Sequence, residues 1–184
     1  AAGSWFYSSE MMRWLYPKNN TELPGDYIAR IEESAHIFQL LMFCFIAIST
    51  TYVFGTLLTA NGSLKQLNIV AGSGVIISLT LNLILVPKMQ ALGSAYASLS
   101  SQGITAIAQV IIAGYIFNFR RNYRFLLALG VFLVSSFLLG HLSKLFGFDW
   151  RINLLMMAAG SLVISMILGL LNIPEFIRIL KSRG

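Results

Sequence analysis

Charge is what this sequence has least of. Only 11% of its 184 residues are Asp, Glu, Lys or Arg, against roughly 25% in an ordinary soluble domain. That leaves too few ionic groups to wet a globular surface. Cysteine is scarcer still: Cys44 is alone and sits inside an apolar run, which excludes a disulfide framework. His36 and His141 are the two histidines, far from each other in sequence. A metal centre or a nucleophile triad needs several such groups converging, so no catalytic, metal or cofactor-binding residue is expected, and enzyme activity is disfavoured. Disorder is excluded too, because disordered chains are poor in apolar residues and rich in charge. What the sequence does have is hydrocarbon: 57% of residues are hydrophobic and the mean hydropathy is +0.74. Its solvent is expected to be lipid.

Five stretches hold no Asp, Glu, Lys or Arg: Ser34–Leu64, Gln66–Pro87, Met89–Phe119, Phe125–Ser143 and Ile152–Pro174. Crossing a bilayer core takes about 20 mostly apolar helical residues, each rising about 1.5 Å. These runs predict helices over about residues 35–60, 66–86, 92–117, 124–142 and 152–172. Backbone groups in lipid must be satisfied internally, and the short alternating segments of a barrel are absent. The expected fold is an all-α integral membrane protein with five transmembrane helices.

The sequence opens Ala1-Ala2-Gly3 without an initiator Met. Its first segment, Trp5–Tyr16, reads as the end of a helix reaching an interface, with Trp5, Tyr7, Trp14 and Tyr16 as belt aromatics. The basic start and unbroken apolar stretch of a signal peptide are missing. The expectation is the C-terminal part of a longer, transporter-sized chain. Residues 1–34 would be the end of a preceding helix plus an extracytoplasmic segment. Residues 35–118 would be three helices of a transport lobe, 119–173 two additional helices, and 174–184 a tail.

Loop charges set an expected orientation. Arg120, Arg121 and Arg124 stand together without an acid, and Arg178, Lys181 and Arg183 follow the last apolar run, whereas Glu10, Glu22, Asp26, Glu32 and Glu33 precede the first. Basic loops favour the cytoplasmic side. The two basic clusters are separated by two crossings and therefore agree, putting the C-terminus in the cytoplasm. Phe176, Ile177, Ile179 and Leu180 make the tail amphipathic, suited to an anionic inner leaflet; a solvated stop after Pro174 is the other reading. The net charge of +6 is then a matter of topology, and nucleic acid is not an expected partner.

One helix carries a polar stripe. At about 100° per residue, Ser94, Ser98, Ser101, Gln102, Thr105 and Gln109 fall within about a 100° arc of the 92–117 helix. Polar side chains in lipid usually face the bundle or a wet cavity. The stripe is therefore either a hydrogen-bonded helix–helix seam or part of a transport path, to which Asn82 of the 66–86 helix would also belong. Gln39, Ser49, Thr50, Thr51, Thr56 and Thr59 lie on the 35–60 helix, where the hydroxyls can bond back to their own backbone. No span has an ionised residue at its middle, so a basic anchor for an anionic cargo would have to come from the rims, at Arg13, Arg30 or Lys88.

Three segments together resemble a known family: Gly55-Thr56-Leu57-Leu58-Thr59-Ala60-Asn61-Gly62-Ser63-Leu64-Lys65; Asn68 through Asn82-Leu83-Ile84-Leu85-Val86-Pro87-Lys88; and Leu92-Gly93-Ser94-Ala95-Tyr96-Ala97-Ser98-Leu99. They look like the second half of polysaccharide flippases in the multidrug/oligosaccharidyl-lipid/polysaccharide exporter superfamily. Gln90-Ala91 departs from the usual glycine and Ser98 from the usual threonine, while Leu15-Tyr16-Pro17 resembles the family's "L-Y-G". The resemblance implies the C-terminal lobe of a fourteen-helix, two-lobed transporter in the bacterial inner membrane. Its partners would be a lipid-linked oligosaccharide, membrane lipids and its own N-terminal lobe, and its action would be flipping by alternating access for surface polysaccharide synthesis. A multidrug exporter of the same superfamily and a non-transporting membrane scaffold are the alternatives.

Overall fold

A computed structural model describes residues 1–19, 22–119 and 122–171. Its elements are all helical: α1 (Ala2–Leu15), α2 (Pro24–Ala60), α3 (Leu64–Phe117), α4 (Tyr123–Leu145) and α5 (Trp150–Ile167). Four of them, α2 to α5, are long and apolar enough to cross a membrane. Side-chain size is distributed as lipid demands. Leu, Ile, Val and Phe stand outside in large numbers, while Ala95, Ala97, Ser101, Ala106 and Ala113 are buried. Without a hydrophobic drive between helices, close approach by small residues is what holds them together. The chain is a multi-pass, all-α membrane protein.

It divides into two bodies, one over Gly3–Phe119 and one beyond it. In the first, α1 runs antiparallel to α2. The Gln39 amide nitrogen donates to the Trp5 carbonyl at 3.1 Å and to the Ser8 hydroxyl at 2.9 Å. Trp5 meets Phe43 edge-on at 5.9 Å, and Met12, Ile31 and Ala35 form a small core.

Helix α2 starts at Pro24, eleven residues ahead of the helix expected from the apolar run. Proline suits the first helical turn because its missing N–H would be unpaired there anyway. Glu32 and Glu33 are therefore helical and exposed. The helix stops where Gly62 takes φ +77. Its N–H donates to Thr59 O and that of Ser63 to Leu58 O, the paired bonds of a Schellman cap.

Helix α3 spans 54 residues but is not straight: Gln90 sits at φ 48, ψ −123. Gly74 lies against Thr105, and Gly93 against the backbone of Leu85. Residues 31 positions apart would stand about 46 Å apart along a straight helix, so the contacts require the chain to fold back. Its two legs, residues 64–89 and 91–117, form a tight hairpin. The reversal falls in the gap expected between the 66–86 and 92–117 helices, but the first leg continues through Pro87 to residue 89. A Cβ on Gly93 would collide with the Leu85 carbonyl oxygen, so the close return depends on glycine there.

In the second body, Asn122 caps α4 by accepting from the Phe125 N–H at 3.3 Å. Gly160 of α5 seats Leu139 of α4 against its backbone. Helix α5 ends at Ile167, earlier than the apolar run allows, because Gly169 turns at φ +68 and a second Schellman pair forms, Gly169 N–H to Met166 O and Leu170 N–H to Ser165 O. The basic residues Arg120 and Arg121 and the amphipathic tail over 174–184 lie outside the described residues.

Candidate functional site

The first body contains a groove of about 660 Å³ between α2 and the second leg of α3. Ile48, Thr51, Tyr52, Gly55, Thr56, Thr59 and Ala60 supply the α2 wall. Their spacing of three and four places them on one helix face. Gln102 and Gln109 supply the facing wall, and Leu67 of the first leg also lines the groove. None of these lining side chains carries a charge.

The polar stripe of the second leg divides between two neighbours. At 100° per residue, Ser94, Ser101 and Thr105 lie along one edge and Ser98, Gln102 and Gln109 along the other. At Thr105 the first edge meets the other leg of the hairpin. A Cβ added at Gly74 would stand 2.6 Å from Thr105 Oγ1, so the two legs touch without a gap. The hydroxyls on this edge serve their own helix: Thr105 Oγ1 donates to Ser101 O at 2.8 Å and Ser101 Oγ to Ser98 O at 3.1 Å. Here the stripe is a seam. The second edge turns Gln102 and Gln109 into the groove. Gln109 is 3% exposed, lies against Gly55, and its Oε1 has no hydrogen-bond partner.

Thr51 on the α2 wall is in the same position. Ser49, Thr50, Thr56 and Thr59 each donate to the carbonyl four residues back, at 2.7–2.9 Å, as expected for helical hydroxyls. Thr51 Oγ1 is buried with no partner. The groove thus holds two unpaired polar oxygens, one on each wall. A buried polar atom without a partner is uncommon and calls for a specific reason.

The remaining sequence-chosen residues are placed elsewhere. Asn82 is half-buried on the first leg and its Nδ2 donates to Ser78 O at 2.8 Å, so it serves its own helix and does not line the groove. Ser94 is exposed and Ser98 half-buried; neither lines it. Arg13 and Lys88 are exposed. Arg30 is engaged: its Nε and Nη2 donate to the two carboxylate oxygens of Glu22, each at 2.9 Å, and its guanidinium lies over the Tyr27 ring. That fork holds the Glu22 carboxyl below its ordinary pKa, chiefly through the hydrogen bond with Arg30. A second crevice, of about 610 Å³, is lined by this pair together with Lys18, Asn19 and residues 15–17.

The α2 wall is what the sequence reading missed as a site. The hydroxyls there were read as self-bonding, which holds for four of the five. The signal that could have found the wall is the recurrence of Thr, Tyr and Gly at positions 51, 52, 55, 56 and 59 on one face. Comparison with protein-family profiles, with curated proteins and with solved structures returns no match for this chain.

Proposed function

We propose that this chain belongs to the C-terminal lobe of a fourteen-helix, two-lobed flippase that carries lipid-linked oligosaccharide across the bacterial inner membrane by alternating access. The two legs of α3 count as separate crossings in this reading, since either is longer than the about 20 residues a bilayer core requires. That makes five spans, with the C-terminus in the cytoplasm. The observation that carries the reading is the uncharged groove with Gln102 and Gln109 turned into it and the Gln109 Oε1 unpaired. Sugar hydroxyls need hydrogen-bonding partners and no fixed charge, and this lining offers them. The hairpin is locked by its own close contacts at Gly74 and Gly93, so in this reading it moves as a unit during the cycle.

The test is Gln102→Leu in the intact transporter. Surface polysaccharide should fall while membrane levels of the protein hold. Loss of both in equal measure would favour the second reading, a non-transporting scaffold, which the Gly74–Thr105 seam recommends. The multidrug-exporter reading gains nothing from the groove, since no acidic group for ion coupling lines it.

A further inference from the structure

Helix α4 presents two unlike faces. Toward α5 it is small: Ser136, Gly140 and Ser143 are buried, and Leu139 seats against Gly160. Turned the other way, at about 100° per residue, are Tyr123, Leu127, Gly130 and Val134. Together with Leu126 and Leu138 they line a groove of about 630 Å³. The large side chains among them are each more than half exposed. A Cβ added at Gly130 would meet nothing within 4 Å, so no described side chain fills the notch there. Ser135 also lines the groove, but its hydroxyl donates to Phe132 O at 3.0 Å, which leaves the floor apolar.

What covers such a face follows from how this chain packs elsewhere. Where its helices meet, they meet through small residues: Gly74 on Thr105, Gly93 on the Leu85 backbone, Gly160 under Leu139. Small residues are what let helices associate in lipid. A wall of leucine and valine around one glycine notch suits a flexible acyl chain instead. The charge at one end says which lipid. Arg124 is exposed in the first turn of α4, on the edge of the groove face and in line with Val131 two turns on. Helical side chains lean toward the N-terminus, so its guanidinium points out of the hydrocarbon toward headgroup depth. No Asp or Glu occurs between Glu33 and Asp149, and Asp149 lies beyond the far end of α4. No acid close in sequence therefore neutralises Arg124. The spacing fits one leaflet. Half of a hydrocarbon core about 30 Å thick is about 15 Å, or about ten helical residues, which is the separation of Arg124 from Val134.

We infer that this face of α4 binds an anionic glycerophospholipid, its phosphate on Arg124 and one acyl chain in the Gly130 notch. Arginine is well matched to phosphate oxygens. The occupant is a membrane lipid that stays in its leaflet, not a cargo, and the site does not depend on the transport reading.

The experiment places the full chain in phosphatidylcholine vesicles with a trace of one photoreactive lipid, either phosphatidylglycerol or phosphatidylcholine, each carrying a diazirine midway along an acyl chain. Labelled residues are read by mass spectrometry. The phosphatidylglycerol probe should label Leu127, Val131 and Val134 well above the phosphatidylcholine probe. Leu133, exposed on α4 but outside the groove, should be labelled equally by both. Arg124→Gln should lower phosphatidylglycerol labelling of the groove about fivefold, the weight of one basic residue at an anionic surface, and leave phosphatidylcholine labelling unchanged. Arg124→Lys should retain most of the preference. Gly130→Leu, which fills the notch without altering charge, should cut groove labelling and leave Leu133 as before. No preference for phosphatidylglycerol at the groove, or a preference that survives Arg124→Gln, would overturn the proposal and leave ordinary boundary lipid. Groove residues unlabelled by either probe while Leu133 reacts would overturn it too, and put another helix on this face. The export assay of Gln102→Leu tests the transport reading separately from all of these results.

Discussion

Gly74→Ala tests the hairpin at its tightest point. The added Cβ would stand 2.6 Å from Thr105 Oγ1 and 3.8 Å from Thr105 Cβ. Thr105 has little room to yield: its hydroxyl is held by a 2.8 Å bond to the Ser101 carbonyl, and a β-branched side chain has few rotamers in a helix. Overpacking of this kind costs about 1–3 kcal/mol. Alanine returns about 0.8–1.0 kcal/mol of helix propensity over glycine, so the net loss is about 0–2 kcal/mol. At about 2–4 °C per kcal/mol for a chain this long, thermal unfolding in detergent should show the midpoint lowered by a few degrees. Thr105→Ala removes the obstructing oxygen, so adding Gly74→Ala to that background should be neutral or stabilising. Gly72 is the internal control, since nothing lies within 4 Å of a Cβ there and Gly72→Ala should not destabilise. Were Gly74→Ala to raise the midpoint equally with and without Thr105, propensity alone would govern and the legs would not be in contact.

Gln109→Leu should raise the unfolding midpoint while weakening export, because the leucine relieves an unsatisfied buried oxygen costing about 1–3 kcal/mol; a lowered midpoint would mean the amide is structurally paired. Gln90→Gly should stabilise the hairpin by about 1 kcal/mol, since φ 48 with ψ −123 is a region where a side chain is strained and glycine is not; the same melting assay reads it, and a loss of stability would refute the strain. The Glu22 carboxyl is depressed in the fold by Arg30, so the stabilisation from this pair is fully present above the ordinary carboxylate value of about 4.3 and is lost as pH falls through the lowered value. A ¹³C titration of the Glu22 carboxyl should show that lowered midpoint, and Arg30→Gln should return it to the ordinary range.

What the sequence revealed and concealed follows from range. Long uncharged runs identified the helices, because crossing lipid is a demand on local composition. The polar stripe was readable for the same reason: helical spacing alone puts Ser101, Gln102, Thr105 and Gln109 on one side. Which edge of that stripe is seam and which faces the groove depends on Gly74 and Gly55, tens of residues away, and no local pattern carries it. Thr51 is chemically indistinguishable in sequence from Thr50, its neighbour; only the assembled fold leaves one hydroxyl bonded and the other orphaned. The start of α2 was missed because charged residues over 26–33 masked a helix whose signal, Pro24 at its first turn, was present. The reversal at Gln90 falls in the gap left between the 66–86 and 92–117 helices, but that the first leg runs on past Pro87 was not legible, because the return is fixed by the approach of Gly93 to Leu85, a contact between legs.

The central claim is that Gln102 opens onto the groove while Thr105 packs against Gly74 of the other leg. Single cysteines at Thr56, Gln102 and Thr105, in a Cys44→Ser background and treated in membranes with an impermeant maleimide, test it directly. Thr56 and Gln102 should react and Thr105 should not. An unreactive cysteine at Gln102 from either side of the membrane, or a Thr105 position as reactive as Gln102, would contradict it.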